Sequence, residues 1–319
     1  MAPQIRLTDV TLRDGLQDEA RTVPTASKVD LALGLLDAGF RSLEVGAFVR
    51  PDRVPQLADT AEVLARLPRR DGTCLSVLAF TPGGARRALD AGADEIRLVV
   101  SASQAHSTAN AGASIDVALR RLEDAARVVT AARHPPRLVG AIAAAFLCPV
   151  DGPTPTGTLA AIATRLRAAG VERLSLADTL GAAGPPAVAA GVRTVREAAP
   201  GVSIGLHLHD TYGRALANAW VGYEAGVVDF DAALGGLGGC PFMPGAAGNV
   251  AAEDLLGLMD SAGLTTGIDA GALLGLLPSL AALVGHPVGS RVSRAPAPVP
   301  AATPVADDGG LSPASGTSS

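Results

Sequence analysis

One pattern occurs four times in the sequence, as LLDAGFRSLEV (residues 35–45), ALDAGADEIRLVV (88–100), LRAAGVERLSLA (166–177) and GYEAGVVDFDAAL (222–234). Each copy joins an Ala/Leu-rich stretch to a short run of β-forming residues through the dipeptide Ala-Gly. A glycine after the last helical residue can adopt the left-handed conformation that ends a helix. The pattern therefore predicts a helix that stops and is followed at once by a strand.

The alternation of strand and helix extends along the chain about eight times, in units of roughly 30 residues. Such units predict parallel strands with right-handed crossovers, and eight of them in about 260 residues favour a closed (β/α)8 barrel. A doubly wound open sheet is the alternative, but the even spacing shows no reversal or second domain. The predicted strands are Ile5–Thr11, Ser42–Gly46, Cys74–Phe80, Glu95–Val100, Leu138–Ala144, Arg173–Ala177, Ser203–Leu208 and Val228–Ala233.

The pattern changes after the eighth unit. We predict a barrel over residues 1–265, a helical extension of the same domain over 266–295 and a disordered tail over 296–319. The extension contains a predicted helix from Ile268 to Gly285, interrupted near Pro278. The tail is rich in Pro, Ala, Ser and Gly without apolar periodicity, so it cannot bury enough surface to offset the entropy of ordering.

Composition restricts the class of protein. The 319 residues carry 26 Lys+Arg and 31 Asp+Glu, a net charge of −5, so nothing favours binding to nucleic acid or to an anionic membrane. Three cysteines cannot form a fully paired disulfide framework, which fits a reducing compartment. No signal peptide or membrane-spanning run is present, and we expect a cytoplasmic protein.

The basic residues exclude further classes, because Lys28 is the only lysine among the 26. A P-loop needs Gly-Lys-Ser/Thr and is absent, as is a Gly-x-Gly-x-x-Gly dinucleotide motif. Schiff-base chemistry would depend on Lys28 alone. We expect this lysine to be solvated in the first turn of a helix over Ser27–Ala38.

A barrel of this type builds its active site at the carboxyl ends of its strands. Polar candidates at those ends are TLRDGLQDE (11–19), Glu44, GLHLHDTYG (205–213) and GLGGCPFMPGAAGN (236–249). His207 and His209 are two residues apart on a strand, so both side chains point the same way, about 7 Å apart along the strand. Either they form a hydrogen-bonded pair in the barrel mouth or they form half of a metal site.

Asp14 favours the metal site, since its carboxylate would converge on the two imidazoles near the barrel axis. Asn249 could complete the set, although it could also cap the helix that follows it. Such mixed nitrogen and oxygen ligands suit Mg²⁺ or Mn²⁺ better than a closed zinc site, and zinc is the less favoured ion.

Cys240 and Arg13 are the other reactive candidates. Cys240 lies in a glycine-dense loop expected over the barrel mouth, where a thiol could donate or accept a proton, whereas Cys74 and Cys148 are expected to be buried. Arg13 is either half of a surface ion pair with Asp14 or a cation that faces a developing oxyanion.

Five segments resemble the successive signatures of the 3-hydroxy-3-methylglutaryl-CoA lyase family, metal-dependent TIM-barrel lyases, over about Gln4 to Ala295. They are TLRDGLQDE (11–19), EVGAFVRPDRVPQLADT (44–60), SLADTLG (175–181), HLHDTYGRALANAWVGYEAGVVDFDAALGGLGGCPFMPGAAGNVAAEDL (207–255) and TTGID (265–269). The resemblance implies an acyl-CoA substrate and a homodimer. It also implies the metal ligands Asp14, His207, His209 and Asn249.

The same resemblance implies roles for further residues. Arg13 would stabilise an enolate, Glu44 would be the active-site glutamate and Cys240 the loop cysteine that transfers a proton. The base that removes the substrate's hydroxyl proton would be His207 or, alternatively, Asp14 or Glu44. Groups expected to contact the substrate are Arg13, Gln17, Asp178 and Thr179.

Several positions depart from the family pattern. Ala47, Ala141, Ala143 and Ala144 stand where the family has serine, tyrosine, serine and cysteine, and Ala20 replaces a basic residue. Lost hydroxyls weaken recognition of the distal carboxylate of hydroxymethylglutaryl-CoA. The expected activity is its cleavage to acetoacetate and acetyl-CoA; the alternatives are a lyase for another 3-hydroxyacyl-CoA, a Claisen-type condensing enzyme and a non-catalytic barrel.

Overall fold

The computed structural model describes residues 5–239 and 247–296. Eight parallel strands form a closed barrel in which each strand pairs with the next in sequence and the eighth pairs with the first. The predicted (β/α)8 barrel is confirmed, and closure excludes the open doubly wound sheet. The strands are β1 (Arg6–Asp9), β2 (Ser42–Ala47), β3 (Cys74–Ala79), β4 (Glu95–Ser101), β5 (Arg137–Ala143), β6 (Arg173–Asp178), β7 (Ser203–Leu208) and β8 (Asp229–Ala232).

Helices surround the barrel and extend beyond it. The α-helices are α1 (Thr25–Asp37), α2 (Thr60–Arg66), α3 (Pro82–Asp90), α4 (Gln104–Ala111), α5 (Ile115–Thr130), α6 (Thr156–Ala168), α7 (Pro185–Ala198), α8 (Ala215–Glu224), α9 (Ala252–Ser261), α10 (Ala270–Val284) and α11 (Arg291–Arg294). A small antiparallel hairpin pairs Leu147–Cys148 with Gly152–Pro153 after β5. Among the described helices none is long and apolar enough to cross a membrane.

The glycines of the repeated pattern end their helices as predicted. Gly39, Gly92, Gly170 and Gly226 have φ values of 108°, 72°, 88° and 83°, in the region that favours glycine. At Gly39 there is also no room for a side chain, because a Cβ atom would lie 2.4 Å from the carbonyl oxygen of Gly267. These turns return the chain to the amino-terminal end of the barrel, so that every strand delivers its carboxyl end to the same mouth.

Two sequence-based expectations about this outer layer are wrong. Helix α10 runs without interruption through Pro278 and packs on α1, where Gly34 faces Leu276. Lys28 is buried rather than solvated, and its Nζ atom lies 2.6 Å from Oδ1 of Asp59. The ion pair supplies the partner that a buried ammonium requires. Residues 297–319, most of the predicted tail, lie outside the described residues.

Candidate active site

The chain leaves β1 through a short helical turn, Thr11–Gly15, which differs from the strand predicted as far as Thr11. Its hydrogen bonds span five residues: the N–H of Gly15 donates to Val10 and that of Leu16 to Thr11, at 3.1 and 2.9 Å. Such wide turns occur often at functional sites. Here the turn places two consecutive side chains, Arg13 and Asp14, in the buried barrel mouth.

Arg13 is an internal cation and not half of a surface pair. Its Nη1 atom donates to Oδ1 of Asp14, its Nη2 atom donates to Oε2 of Glu44 at 3.0 Å, and its Nε atom lies 3.0 Å from Oε1 of Glu44. Glu44, at the middle of β2, is fully buried. Two carboxylates therefore hold the planar guanidinium in one orientation.

His207 and His209 point to the same side of β7 and meet Asp14. Their Nε2 atoms lie 3.2 Å apart, and Oδ2 of Asp14 lies 3.3 Å from Nε2 of His209 and 3.7 Å from Nε2 of His207. All three side chains are buried, and their potential ligand atoms lie within 4.8 Å of one another. The tertiary structure thus brings together groups that are almost 200 residues apart in sequence.

Asn249 joins the same group through its backbone and its amide. Its backbone forms an isolated antiparallel bridge with His209, and its Nδ2 atom donates to Oδ2 of Asp14 at 2.8 Å and to the carbonyl of Leu237 at 2.9 Å. Asn249 does not cap a helix, because α9 begins at Ala252 with Ala251 at the N-cap position. The alternative prediction, that Asn249 caps the following helix, is therefore wrong.

The electrostatic state of Asp14 fits a cation site. Burial alone would raise the pKa of its carboxyl, but the charge of Arg13 and the contacts with His209 and His207 outweigh burial and hold the pKa well below its usual range. Asp14 is therefore ionised at neutral pH. One carboxylate, two imidazole nitrogens and a neighbouring amide form a donor set that suits a divalent cation.

Asp231 supports His207 and is itself held by Arg97, and neither residue is among the candidates that the sequence motifs indicate. Asp231 Oδ2 lies 3.3 Å from Nδ1 of His207, and its two oxygens accept hydrogen bonds from Arg97 at 2.6 and 3.1 Å. Metal-binding histidines commonly anchor their other ring nitrogen in this way. Register provides a signal that would have found Asp231, since it pairs with His207 between β8 and β7.

The remaining residues predicted to contact the substrate differ in whether they line the cavity beside Asp14. Gln17 donates to Asp14 at 3.2 Å. Gln17 and Thr179 both line the cavity beside Asp14, and the hydroxyl of Thr179 accepts a hydrogen bond from the N–H of Ala144 at 3.0 Å. Asp178 does not line the cavity; its carboxylate accepts from the N–H groups of Ala182 and Ala183 and shapes the turn after β6. Cys240 lies outside the described residues.

A cavity of about 190 Å³ opens beside the Asp14 group. This volume is smaller than pockets that enclose drug-sized ligands, so it suits the acyl group of a thioester and leaves a coenzyme outside. Three of the five departures from the family pattern, Ala47, Ala141 and Ala143, line the cavity. Ala144 is buried behind the wall.

Comparison with known proteins gives concordant matches. The HMGL-like family model matches residues 4–278. The chain is 38% identical over 293 residues to a 3-hydroxy-3-isohexenylglutaryl-CoA/hydroxy-methylglutaryl-CoA lyase of Pseudomonas aeruginosa, covering 92% of this chain and 97% of that protein. Two solved structures are similar. An HMG-CoA lyase from Brucella melitensis has 39% identity, a TM-score of 0.85 and coverage of 89% of this chain and 100% of that chain. An HMG-CoA lyase from A. baumannii in complex with coenzyme A and 3-methylmalate has 36% identity and a TM-score of 0.86, with coverage of 93% of this chain and 98% of that chain.

Proposed function

The chain belongs to the HMGL-like family and is a carbon–carbon lyase, and from this premise we propose that it cleaves 3-hydroxy-3-methylglutaryl-CoA to acetoacetate and acetyl-CoA. One observation carries the proposal: the convergence of Asp14, His207 and His209 beside Arg13 at the floor of an acyl-sized cavity. The reaction breaks the bond between C2 and C3 of the substrate. The reaction needs a base that removes the hydroxyl proton, a cationic group that stabilises the enolate and an acid that donates a proton to C2.

A divalent cation, Mg²⁺ or Mn²⁺ rather than Zn²⁺, would be held by Asp14, His207, His209 and Asn249. When bound, it supplies a Lewis acid that polarises substrate oxygens. The support is the donor set itself, because one buried, ionised carboxylate and two imidazoles have their potential ligand atoms within 4.8 Å of one another.

We assign removal of the hydroxyl proton to His207. Its Nδ1 atom faces Asp231, so its Nε2 atom is the one directed at the cavity, and the buried carboxylate stabilises the imidazolium that proton transfer creates. Nε2 of His207 cannot bind a cation and accept a proton at the same time, so proton uptake by His207 would require that Asp14, His209 and Asn249 hold the cation. We assign no proton transfer to Glu44, because both of its oxygens face the guanidinium groups of Arg13 and Arg97.

Arg13 is the proposed partner of the enolate. Its guanidinium lines the cavity and is fixed by Glu44, so little reorganisation is needed as negative charge develops on the thioester oxygen. Cys240 is the proposed donor of the proton that C2 receives; this role rests on the sequence resemblance. Gln17 and Thr179 would contact the acyl group from the cavity wall.

The proposed substrate is an acyl-CoA, with the acyl group in the cavity and the coenzyme outside it. We also propose a cytoplasmic homodimer, which the family resemblance implies. Light scattering of the purified protein tests the dimer directly, and a monomeric mass at micromolar concentration would contradict it.

Acetyl-CoA release from 3-hydroxy-3-methylglutaryl-CoA, measured with added Mg²⁺ or Mn²⁺, tests the function. We expect turnover to be abolished in His209→Ala and reduced by at least about a hundredfold in Cys240→Ala. His134→Ala, an exposed histidine outside the cavity, and Cys74→Ala on β3 serve as matched controls. Full activity of both site variants would overturn the assignment, and net condensation of acetyl-CoA with a 2-oxo acid would indicate a condensing enzyme instead.

A further inference from the structure

The cavity has one polar side and one apolar side. The apolar side is a hydrophobic cluster separate from the main barrel core, and every one of its members lines the cavity. The members come from β2, β3 and the residue that follows it, β4, and the segment before α2: Ala47, Val49, Val54, Leu57, Leu78, Phe80 and Val99. This cluster lies within the pocket that also contains Arg13 and Asp14, so it faces the acyl group of a bound thioester.

The cationic groups in the cavity are already paired. Arg13 contacts Asp14 and Glu44, while Arg97 contacts Asp231 at 2.6 Å and Glu44 at 3.5 Å. Among the described residues, the charged side chains that line the cavity are thus two arginines, both paired, and three carboxylates. The divalent cation proposed above would be held at Asp14, His207 and His209 and engaged by the hydroxyl and thioester oxygens of the substrate, so it leaves neither arginine free. A second carboxylate at the far end of the substrate would compete with buried carboxylates for both arginines, which makes its desolvation costly.

Neutral polar side chains also line the cavity, but none of them supplies a positive charge; they are Gln17, His106, Asn110, Ser175 and Thr179. Burial lowers the pKa of His106, so its imidazole is uncharged at neutral pH. Ala141 and Ala143 on β5 and Ala47 on β2 present only methyl groups to the cavity. Small side chains at these points leave room next to the apolar cluster without offering a hydroxyl donor.

We propose that the preferred substrate is a 3-hydroxyacyl-CoA whose C3 carries an apolar branch in place of the distal carboxylate. The inference rests on the proposed lyase function and names the substrate class of the same site. For a branch R the reaction is R–C(OH)(CH₃)–CH₂–CO–SCoA to R–CO–CH₃ and CH₃–CO–SCoA. The bond between C2 and C3 breaks, the hydroxyl proton leaves with the base and C2 gains a proton, so no other reactant is needed.

A matched pair of thioesters tests the preference. In 3-hydroxy-3,5-dimethylhexanoyl-CoA an isopropyl group replaces the carboxylate of 3-hydroxy-3-methylglutaryl-CoA with nearly the same shape, and the ketone product is 4-methylpentan-2-one. Each buried methylene favours binding by about fourfold, so we expect kcat/KM to be at least about tenfold higher for the alkyl compound. An equal or higher kcat/KM for 3-hydroxy-3-methylglutaryl-CoA, or for 3-hydroxy-3-isobutylglutaryl-CoA, overturns the inference.

Serine substitutions test the residues that carry the preference. The triple variant Ala47→Ser, Ala141→Ser, Ala143→Ser should shift the ratio of the two kcat/KM values by about tenfold or more toward the acid, while Ala168→Ser on the exposed face of α6 leaves it unchanged. If the triple variant does not fold, Ala143→Ser alone provides the readout, since this side chain is only partly buried. An unchanged ratio overturns the assignment to these positions.

The experiment also separates the two levels of the proposal. Failure to release acetyl-CoA from any of the three thioesters, with Mn²⁺ bound to the protein, refutes the proposed cleavage of 3-hydroxy-3-methylglutaryl-CoA together with the apolar branch. Cleavage with preference for an acid leaves the lyase function standing and refutes only the apolar branch.

Discussion

The carboxylate of Asp231 lies 3.3 Å from Nδ1 of His207, on the opposite side of the imidazole from the Nε2 atom that faces Asp14. Arg97 donates two hydrogen bonds to the same carboxylate. Burial would raise the pKa of Asp231, but the charge of Arg97 outweighs burial and keeps the pKa lowered. A permanently ionised carboxylate thus holds the N–H on Nδ1 and leaves the Nε2 lone pair directed at the cavity.

Replacement of this carboxylate by an amide should weaken the site without removing a ligand. We expect Asp231→Asn to lower Mn²⁺ affinity or kcat/KM by about 10- to 100-fold, because the amide holds the imidazole tautomer less well. Calorimetric Mn²⁺ titration and steady-state kinetics measure the two effects. Asp229→Asn is the control on the same strand, since Asp229 pairs with Arg6. Unchanged affinity and kcat/KM in Asp231→Asn would exclude the anchoring role.

Arg13 should be sensitive even to a conservative change. Lysine at this position keeps the charge but cannot contact Asp14 and Glu44 through a planar fork, so we expect Arg13→Lys to reduce kcat by about 100-fold with a smaller change in KM. Arg127→Lys on the exposed face of α5 controls for the chemical change. A variant that raised KM alone would show that Arg13 binds the ground state and does not act on the enolate.

Lys28 allows a test of imine chemistry. We expect Lys28→Met to retain kcat while losing about 3 kcal/mol of unfolding free energy, because the substitution leaves Asp59 without its buried partner. Borohydride in the presence of substrate should not inactivate the wild-type protein. Inactivation by borohydride, or a folded Lys28→Met protein without turnover, would establish a role for this amine in the reaction.

Glu253 makes stability depend on pH. Both of its oxygens accept from the N–H of Gly235, and burial raises its pKa from 4.5 to about 7; burial likewise raises the pKa of nearby Asp9 to about 7. Between pH 4.5 and 7 the folded protein holds a proton at Glu253 that the unfolded chain has lost, so the free energy of unfolding falls as pH rises through this window.

Glu253→Gln should remove that part of the pH dependence. Above pH 7 the pKa shift of Glu253 corresponds to at most roughly 3 kcal/mol of unfolding free energy. The variant should therefore be more stable than the wild type above pH 7 and closer to it in stability at pH 4.5. Urea unfolding between pH 4.5 and 8 measures the slope, with Glu224→Gln on the protein surface as the control. A variant destabilised equally at every pH would show that the hydrogen bonds outweigh the titration.

The amino-acid sequence by itself determined the barrel, because the repeated Ala-Gly stops and the spacing of the apolar runs are local signals that need no tertiary contact. The pairing of His207 with His209 follows from the two-residue period of a strand. The position of Asp14 near them follows from barrel topology, which delivers all strand ends to one mouth. Motifs and the alternation of side chains along a strand therefore sufficed for the residues at the strand ends.

Other features depended on the tertiary structure. Whether Lys28 was solvated or buried depended on Asp59 in another segment, and whether Asn249 capped a helix depended on where α9 began. The anchoring of His207 by Asp231 depended on the register between β7 and β8. The apolar side of the cavity came from three strands and a loop, each of whose residues looks like ordinary core in sequence. Only the closed barrel turns these side chains toward the reacting groups, because burial and charge pairing are properties of surroundings that distant segments supply.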